Sequence, residues 1–113
     1  VVEDVELTLT DVRRDSNRLT FAIRGLNKGI EEQDLRIYSY TTRIIDSNGV
    51  EYTFSDYGAG SNLSSGVSVP VDVPMALEVS FRGAAVNIEA ISLLEIAFYY
   101  TEDILRWRDI SVP

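Results

Sequence analysis

The residues best placed for chemistry are oxygen donors, aromatic rings and paired charges. Asp46, Asn48 and Glu51, with Asp56 nearby, offer oxygen ligands around one short turn. Calcium, a hard cation that takes six to eight oxygens, is the ion such a set would suit. The spacing lacks a full alternating-acid loop with its closing Glu, and an Asx-type hairpin turn accounts for the same residues.

Tyr38, Tyr40 and Trp107 form a second candidate set, a platform for sugar rings or an anchor for a protein partner. Tyr52, Tyr57, Tyr99 and Tyr100 add to the supply of rings, and cross-strand packing is the competing use for all of them. Glu89, Glu95, Glu102 and Asp103 supply carboxylates, but no spacing singles out the facing pair that glycoside hydrolysis requires. Glu95 stands out because it interrupts Leu93-Leu94-Glu95-Ile96-Ala97; Arg106 or Arg108 on a following strand is its expected charge partner.

Nine of the ten basic residues are Arg, a side chain suited to bidentate and stacked contacts. Arg13, Arg14 and Arg18 surround one turn, and Arg106 and Arg108 flank Trp107, so cross-strand ion pairs or an acidic partner are their expected uses. No Gly-rich phosphate loop is present, and no cofactor is expected.

Composition removes other chemistry. With no His and no Cys, the chain lacks the commonest general base, thiolate nucleophiles and the usual zinc and iron–sulfur ligands. A catalytic site is therefore not expected. The net charge of −8 opposes nucleic acids and anionic membranes. No apolar run reaches the ~18 residues that would span a bilayer, so no membrane insertion is expected. Val1 in place of Met suggests a processed chain or a segment of a longer protein. The charge is sectional: residues 44–105 carry nine acids and one Arg, whereas residues 1–43 are nearly balanced.

These groups must be positioned by strands. The 113 residues suit one domain, 1–113, with a single core and no staples. Val5, Leu7 and Leu9 alternate with polar residues, as do Leu19, Phe21 and Ile23, each the period-2 mark of a half-buried strand. A long β-rich run over 35–45 has broken alternation, which predicts a bulge or a change of buried face. Asp46-Ser47-Asn48-Gly49 predicts a tight hairpin, because Asn-Gly supplies positive φ readily. Residues 58–66 read as a mobile loop, and Val67 to Val73 as a strand in which Pro70 argues for an edge position or an irregular segment. Leu77, Val79 and Phe81 mark another strand. Residues 88–96 fit either periodicity; the all-β context favours a strand with a helical turn near 88–92. Leu105 to Ile110 closes the count. Seven to eight strands at this spacing predict an all-β fold, an immunoglobulin-like antiparallel β-sandwich, with a small barrel as the alternative.

Read end to end, the chain resembles the immunoglobulin-like accessory domains of unknown function on bacterial envelope and surface proteins. The resemblance rests on Leu19-Thr20-Phe21-Ala22-Ile23 leading to Asn27-Lys28-Gly29, on Ile45-Asp46-Ser47-Asn48-Gly49-Val50-Glu51-Tyr52, on Ser65-Gly66 and on Val73-Pro74. It implies a non-catalytic protein-interaction or spacer module of a larger or exported protein, in the periplasm or at the cell surface. A carbohydrate-binding module using Tyr38, Tyr40 and Trp107 is the alternative reading. The resemblance transfers no binding residues.

Overall fold

Alternating side chains give each strand one face that must leave water, and the chain satisfies this by closing its apolar faces on one another. A computed structural model describes residue 2, residues 4–99 and residues 101–113. Among them are β1 (Val5–Arg14), β2 (Arg18–Asn27), β3 (Gln33–Leu35), β4 (Arg43–Asp46), β5 (Glu51–Thr53), the single helical turn α1 (Phe54–Tyr57), β6 (Gly58–Ser61), β7 (Val67–Val69), β8 (Met75–Arg82), a 3-10 turn (Gly83–Asn87), β9 (Ala90–Ala97) and β10 (Ile104–Ser111).

The fold is all-β, with every strand pairing antiparallel. One sheet has the order β1-β2-β8-β6, a second has β10-β9-β4-β5, and β3 and β7 form a short ribbon. Leu19, Phe21, Ile23, Leu77, Val79 and Phe81 from the first sheet meet Ile44, Ile91, Leu94 and Ile96 from the second in a single core. Phe81 is its hub. Phe21 and Phe54 both pack edge-on against it, with ring centroids 6.0 and 5.6 Å away, an arrangement favoured by the ring quadrupoles. Phe54 comes from α1, which closes one side between the sheets.

Polar side chains fasten the ends. Fully buried Asn27 donates to the carbonyls of Glu31 (2.7 Å) and Val69 (3.0 Å) and accepts from Gly29 N–H (2.8 Å). At the opposite end, the Arg14 guanidinium donates to the carbonyls of Val86, Ile88 and Pro113. No described buried side-chain N or O atom lacks a partner.

The four edges of the two larger sheets are short or irregular. Pairing shifts at Leu9/Asp11 in β1 and at Gly58/Gly60 in β6, β5 has three residues, and β10 contains Asp109 at φ 54°. Such irregularities discourage strand addition by another chain.

Several expectations are corrected. The described residues hold ten strands where seven to eight were counted, because β3, β6 and β7 are short. The 35–45 run is two elements joined by a turn. Buried Thr42 holds that turn, its hydroxyl donating to Tyr38 O (2.9 Å) and accepting from Ala97 N–H (3.2 Å). Residues 58–66 are not simply a loop: β6 pairs with β8, and Leu63 is buried. Its small residues serve close approach, since a Cβ on Gly58 would lie 2.4 Å from the Phe54 carbonyl oxygen. The Val67–Val73 strand stops at Val69, before Pro70. Residues 90–97 are indeed a strand, and the helical turn falls earlier, at Gly83–Asn87.

The 46–49 hairpin carries a direct test. Gly49 has φ +83° with open space around it, so its requirement is conformational, whereas Gly60 has equal space and no positive φ. Gly49→Ala should lose about 1–2 kcal/mol, while Gly60→Ala should be neutral or slightly stabilising. Urea unfolding of both variants measures the difference; equal effects would refute the hairpin geometry.

Candidate functional site

On β9, inward Leu94 and Ile96 alternate with outward Leu93 and Glu95. The pairing places Arg106 of β10 and Arg43 of β4 on either side of Glu95. Arg106 Nε donates to Glu95 Oε2 (2.7 Å), Arg43 Nε donates to Glu95 Oε1 (3.2 Å), and Arg43 Nη1 donates to Glu51 Oε2 (2.7 Å). A row of alternating charges, Glu51–Arg43–Glu95–Arg106, thus crosses four strands. Its centre is nearly dry, with only 10% of the Glu95 side chain exposed, against 33% for Arg43 and 48% for Arg106. The bond from Glu51, helped by the charge of Glu95, holds the Arg43 guanidinium above its ordinary pKa against burial.

Next to this row lies an open depression of about 350 Å³, with Tyr40 on one wall, Ile104 on another and Arg43, Glu51 and Glu95 among its lining. Tyr40 is 70% exposed. Its ring meets Tyr38 edge-on at 5.8 Å, Tyr38 stacks on Tyr99 at 4.9 Å, and the Arg36 guanidinium covers Tyr99 at 4.9 Å. The arrangement offers an aromatic wall, spare N–H donors and carboxylate acceptors on one surface.

Of the sequence candidates, Tyr38 and Tyr40 do meet, but Tyr40 sits in the 39–41 turn and not on a strand. Trp107 does not join them. It lies opposite core residue Leu94, so it faces inward and is half-buried against the core. Arg106, rather than Arg108, is the β10 partner of Glu95; Arg108 lies opposite Leu93. Arg43, the second partner, escapes sequence reading because it is 52 residues from Glu95. Arg36 and Ile104 were missed for the same reason, being brought in by pairing between distant segments.

The calcium candidates separate. Asp46 Oδ1 accepts the N–H groups of Asn48 and Val50, both at 2.9 Å, an Asx turn that occupies it within the hairpin. Glu51 instead faces the outer surface and holds Arg43. Asp56 accepts from the Thr53 hydroxyl at 3.0 Å. Among the described residues no three acidic side chains gather as metal ligands. A polar depression of about 510 Å³ beside the hairpin is lined by Asp46, Asn48, Asn87 and Glu89.

Of the carboxylates considered for glycoside hydrolysis, Glu89 is separated from Glu102 and Asp103 by the length of β9. Glu89 precedes β9 while Glu102 and Asp103 follow it, and eight strand residues span roughly 25 Å, well beyond the ~5–9.5 Å such pairs need. Of the basic cluster, Arg13 makes long contacts with Asp11 (3.9 Å) and Glu78 (3.7 Å), Arg14 binds carbonyls, and Arg18 lies directly opposite Arg82. Another open depression, about 580 Å³, lies on the first sheet, lined by Thr10, Ala22 and Ala76 with Arg13, Arg24 and Glu78 among its charged groups. It has no aromatic ring in its lining.

No helix among the described residues is long and apolar enough to cross a membrane. In comparisons with known proteins, the chain matches no family model, no curated protein and no solved structure.

Two tests follow from this geometry. Glu95→Ala would leave two guanidiniums facing each other and should lose about 1–2 kcal/mol, a value reduced by their exposure. Glu51→Ala should lose well under ~1 kcal/mol. Denaturant unfolding that ranked Glu51 above Glu95 would contradict the assignment of Glu95 as the centre.

The second test concerns Tyr52, whose hydroxyl pKa is raised by burial and by the adjacent Asp46 carboxylate. The neutral phenol is thus favoured in the folded state. Its contribution is complete below the unfolded value of about 10 and is lost as pH rises through the folded one. Ultraviolet titration should find one late-ionising tyrosine that disappears in Tyr52→Phe; an unchanged titration curve would refute this.

Proposed function

We propose that the chain is an immunoglobulin-like, non-catalytic interaction module of a larger or exported bacterial protein, working in the periplasm or at the cell surface. Lettering the eight principal strands A, B, C, C′, D, E, F and G in chain order turns the two sheet orders into A-B-E-D and G-F-C-C′. These orders parallel those of immunoglobulin sandwiches and support the reading, with β3 and β7 as an added ribbon. Departures exist: the chain has no Cys pair, and its one Trp is on β10. The bacterial and extracytoplasmic parts of the reading rest on the sequence resemblance alone.

The observation that carries an interaction role is the outer face of the β10-β9-β4-β5 sheet. Exposed Tyr40 and Ile104 flank a nearly buried Glu95 there, and core closure requires none of these groups. Aromatic and Arg side chains around a desolvated centre are characteristic of binding hot spots. With no His or Cys, binding fits this face better than bond-making chemistry. The short or irregular edges support recognition through a face in preference to strand addition.

A photo-crosslinking residue placed at position 40 or 104, and at position 24 on the other sheet as control, tests this in the producing cell. Adducts from 40 and 104 but not from 24 are expected. Adducts from 24 alone, or from none of the three, would overturn the proposal.

A further inference from the structure

We infer that the depression between Tyr40 and Ile104 takes a neutral saccharide unit, its ring stacked on Tyr40 and its hydroxyls bonded to Arg43, Glu51 and Glu95, which line it. The inference rests on the reading of this face as a binding surface, and it names the ligand class.

Charge is the first argument. Glu51, Arg43, Glu95 and Arg106 pair two negative with two positive groups. Arg106 does not line the depression, but it holds Glu95 at 2.7 Å, so the set as a whole carries no net charge to attract an anion or a cation. What it presents is bonding capacity. A guanidinium has five N–H donors, of which Arg43 spends Nε and Nη1 and Arg106 spends Nε on these carboxylates. Each carboxylate oxygen still has acceptor capacity. Donors and acceptors thus alternate along the row, and hydroxyls suit such an alternation because each both donates and accepts.

The second argument is shape and surface. About 350 Å³ falls at the small end of the ~300–1,000 Å³ usual for ligand sites, with room for a sugar ring and its hydroxyls. Tyr40 offers an exposed aromatic face for the C–H side of such a ring, and Tyr38 braces it at 5.8 Å. Trp107, turned toward the core, has no part.

The third argument is the position of the charge. Fold stability alone is a weak reason to bury a carboxylate between two guanidiniums, because apolar groups of similar volume often serve as well or better. A preorganised polar row does serve a polar ligand, whose hydroxyls meet donors and acceptors already fixed in place.

The test is titration of the intact chain with neutral cello-, xylo-, manno- and chito-oligosaccharides, followed by amide chemical shifts and calorimetry. Polygalacturonate and sialyllactose form the anionic arm. At least one neutral ligand should bind, shifting amides of β4, β9 and β10. Tyr40→Ala and Glu95→Gln should each weaken it at least ~10-fold, about 1.4 kcal/mol. If Glu95→Gln fails to fold, Tyr40→Ala decides, since its ring is exposed.

No binding of any neutral ligand at ~10 mM, far above the affinity of a useful site, would overturn the inference. So would tighter binding of an anionic one, or affinity that survives Tyr40→Ala. Adducts from positions 40 and 104 alongside a failed titration would remove the saccharide and leave the interaction module standing. Loss of both would remove both.

Discussion

Two sheets must bury one face each, and this constraint organises the rest of the molecule. Phe81, held edge-on by Phe21 and Phe54, is where the first sheet and α1 meet. The chain has no Cys, so disulfides give no help, and apolar burial at roughly 25 cal/mol per Å² must offset the entropy of ordering the chain. The inner positions are consequently committed. Trp107 illustrates this, since its register opposite Leu94 turns it inward whatever its value as a ligand platform.

The outer faces are under no such demand, which makes their exceptions informative. On the first sheet, buried Thr20 and Ser80 satisfy each other at 2.8 Å, and Arg13 has only long ionic contacts. On the second sheet, Glu95 is desolvated between two guanidiniums and beside exposed rings. Burial of charge is costly and is recovered only through good geometry. The row is thus the place where structure exceeds what closing the core requires.

Much of this was legible in local pattern. The alternation at Val5, Leu19 and Leu77 identified β1, β2 and β8, and Asp46 to Gly49 marked its hairpin, because strand periodicity and turn chemistry act over a few residues. Glu95 was conspicuous as a charge in an apolar run, and its β10 neighbour was within reach of a guess. What escaped was set by distant pairing. Gly58 to Ser61 has poor strand propensity and pairs because small residues fit beside Phe54. Arg43 reaches Glu95 only once β4 lies against β9. The acidic 44–105 stretch forms no single face, because its strands divide between sheets: Glu78 sits on β8, and Glu51 and Glu95 face outward on the other sheet.

On the proposed function, the Arg43–Glu95–Arg106 row belongs to recognition and not to the fold. Thermal unfolding of the triple variant Arg43→Met, Glu95→Leu, Arg106→Met measures this most directly. An unfolding temperature equal to or above that of the parent is predicted, since removing all three charges together leaves no buried charge unpaired, and Glu51, which loses Arg43, is 46% exposed. A fall of more than ~10 °C, about 2 kcal/mol for a domain of this size, would place the row among the interactions that hold the strands of the β10-β9-β4-β5 sheet together.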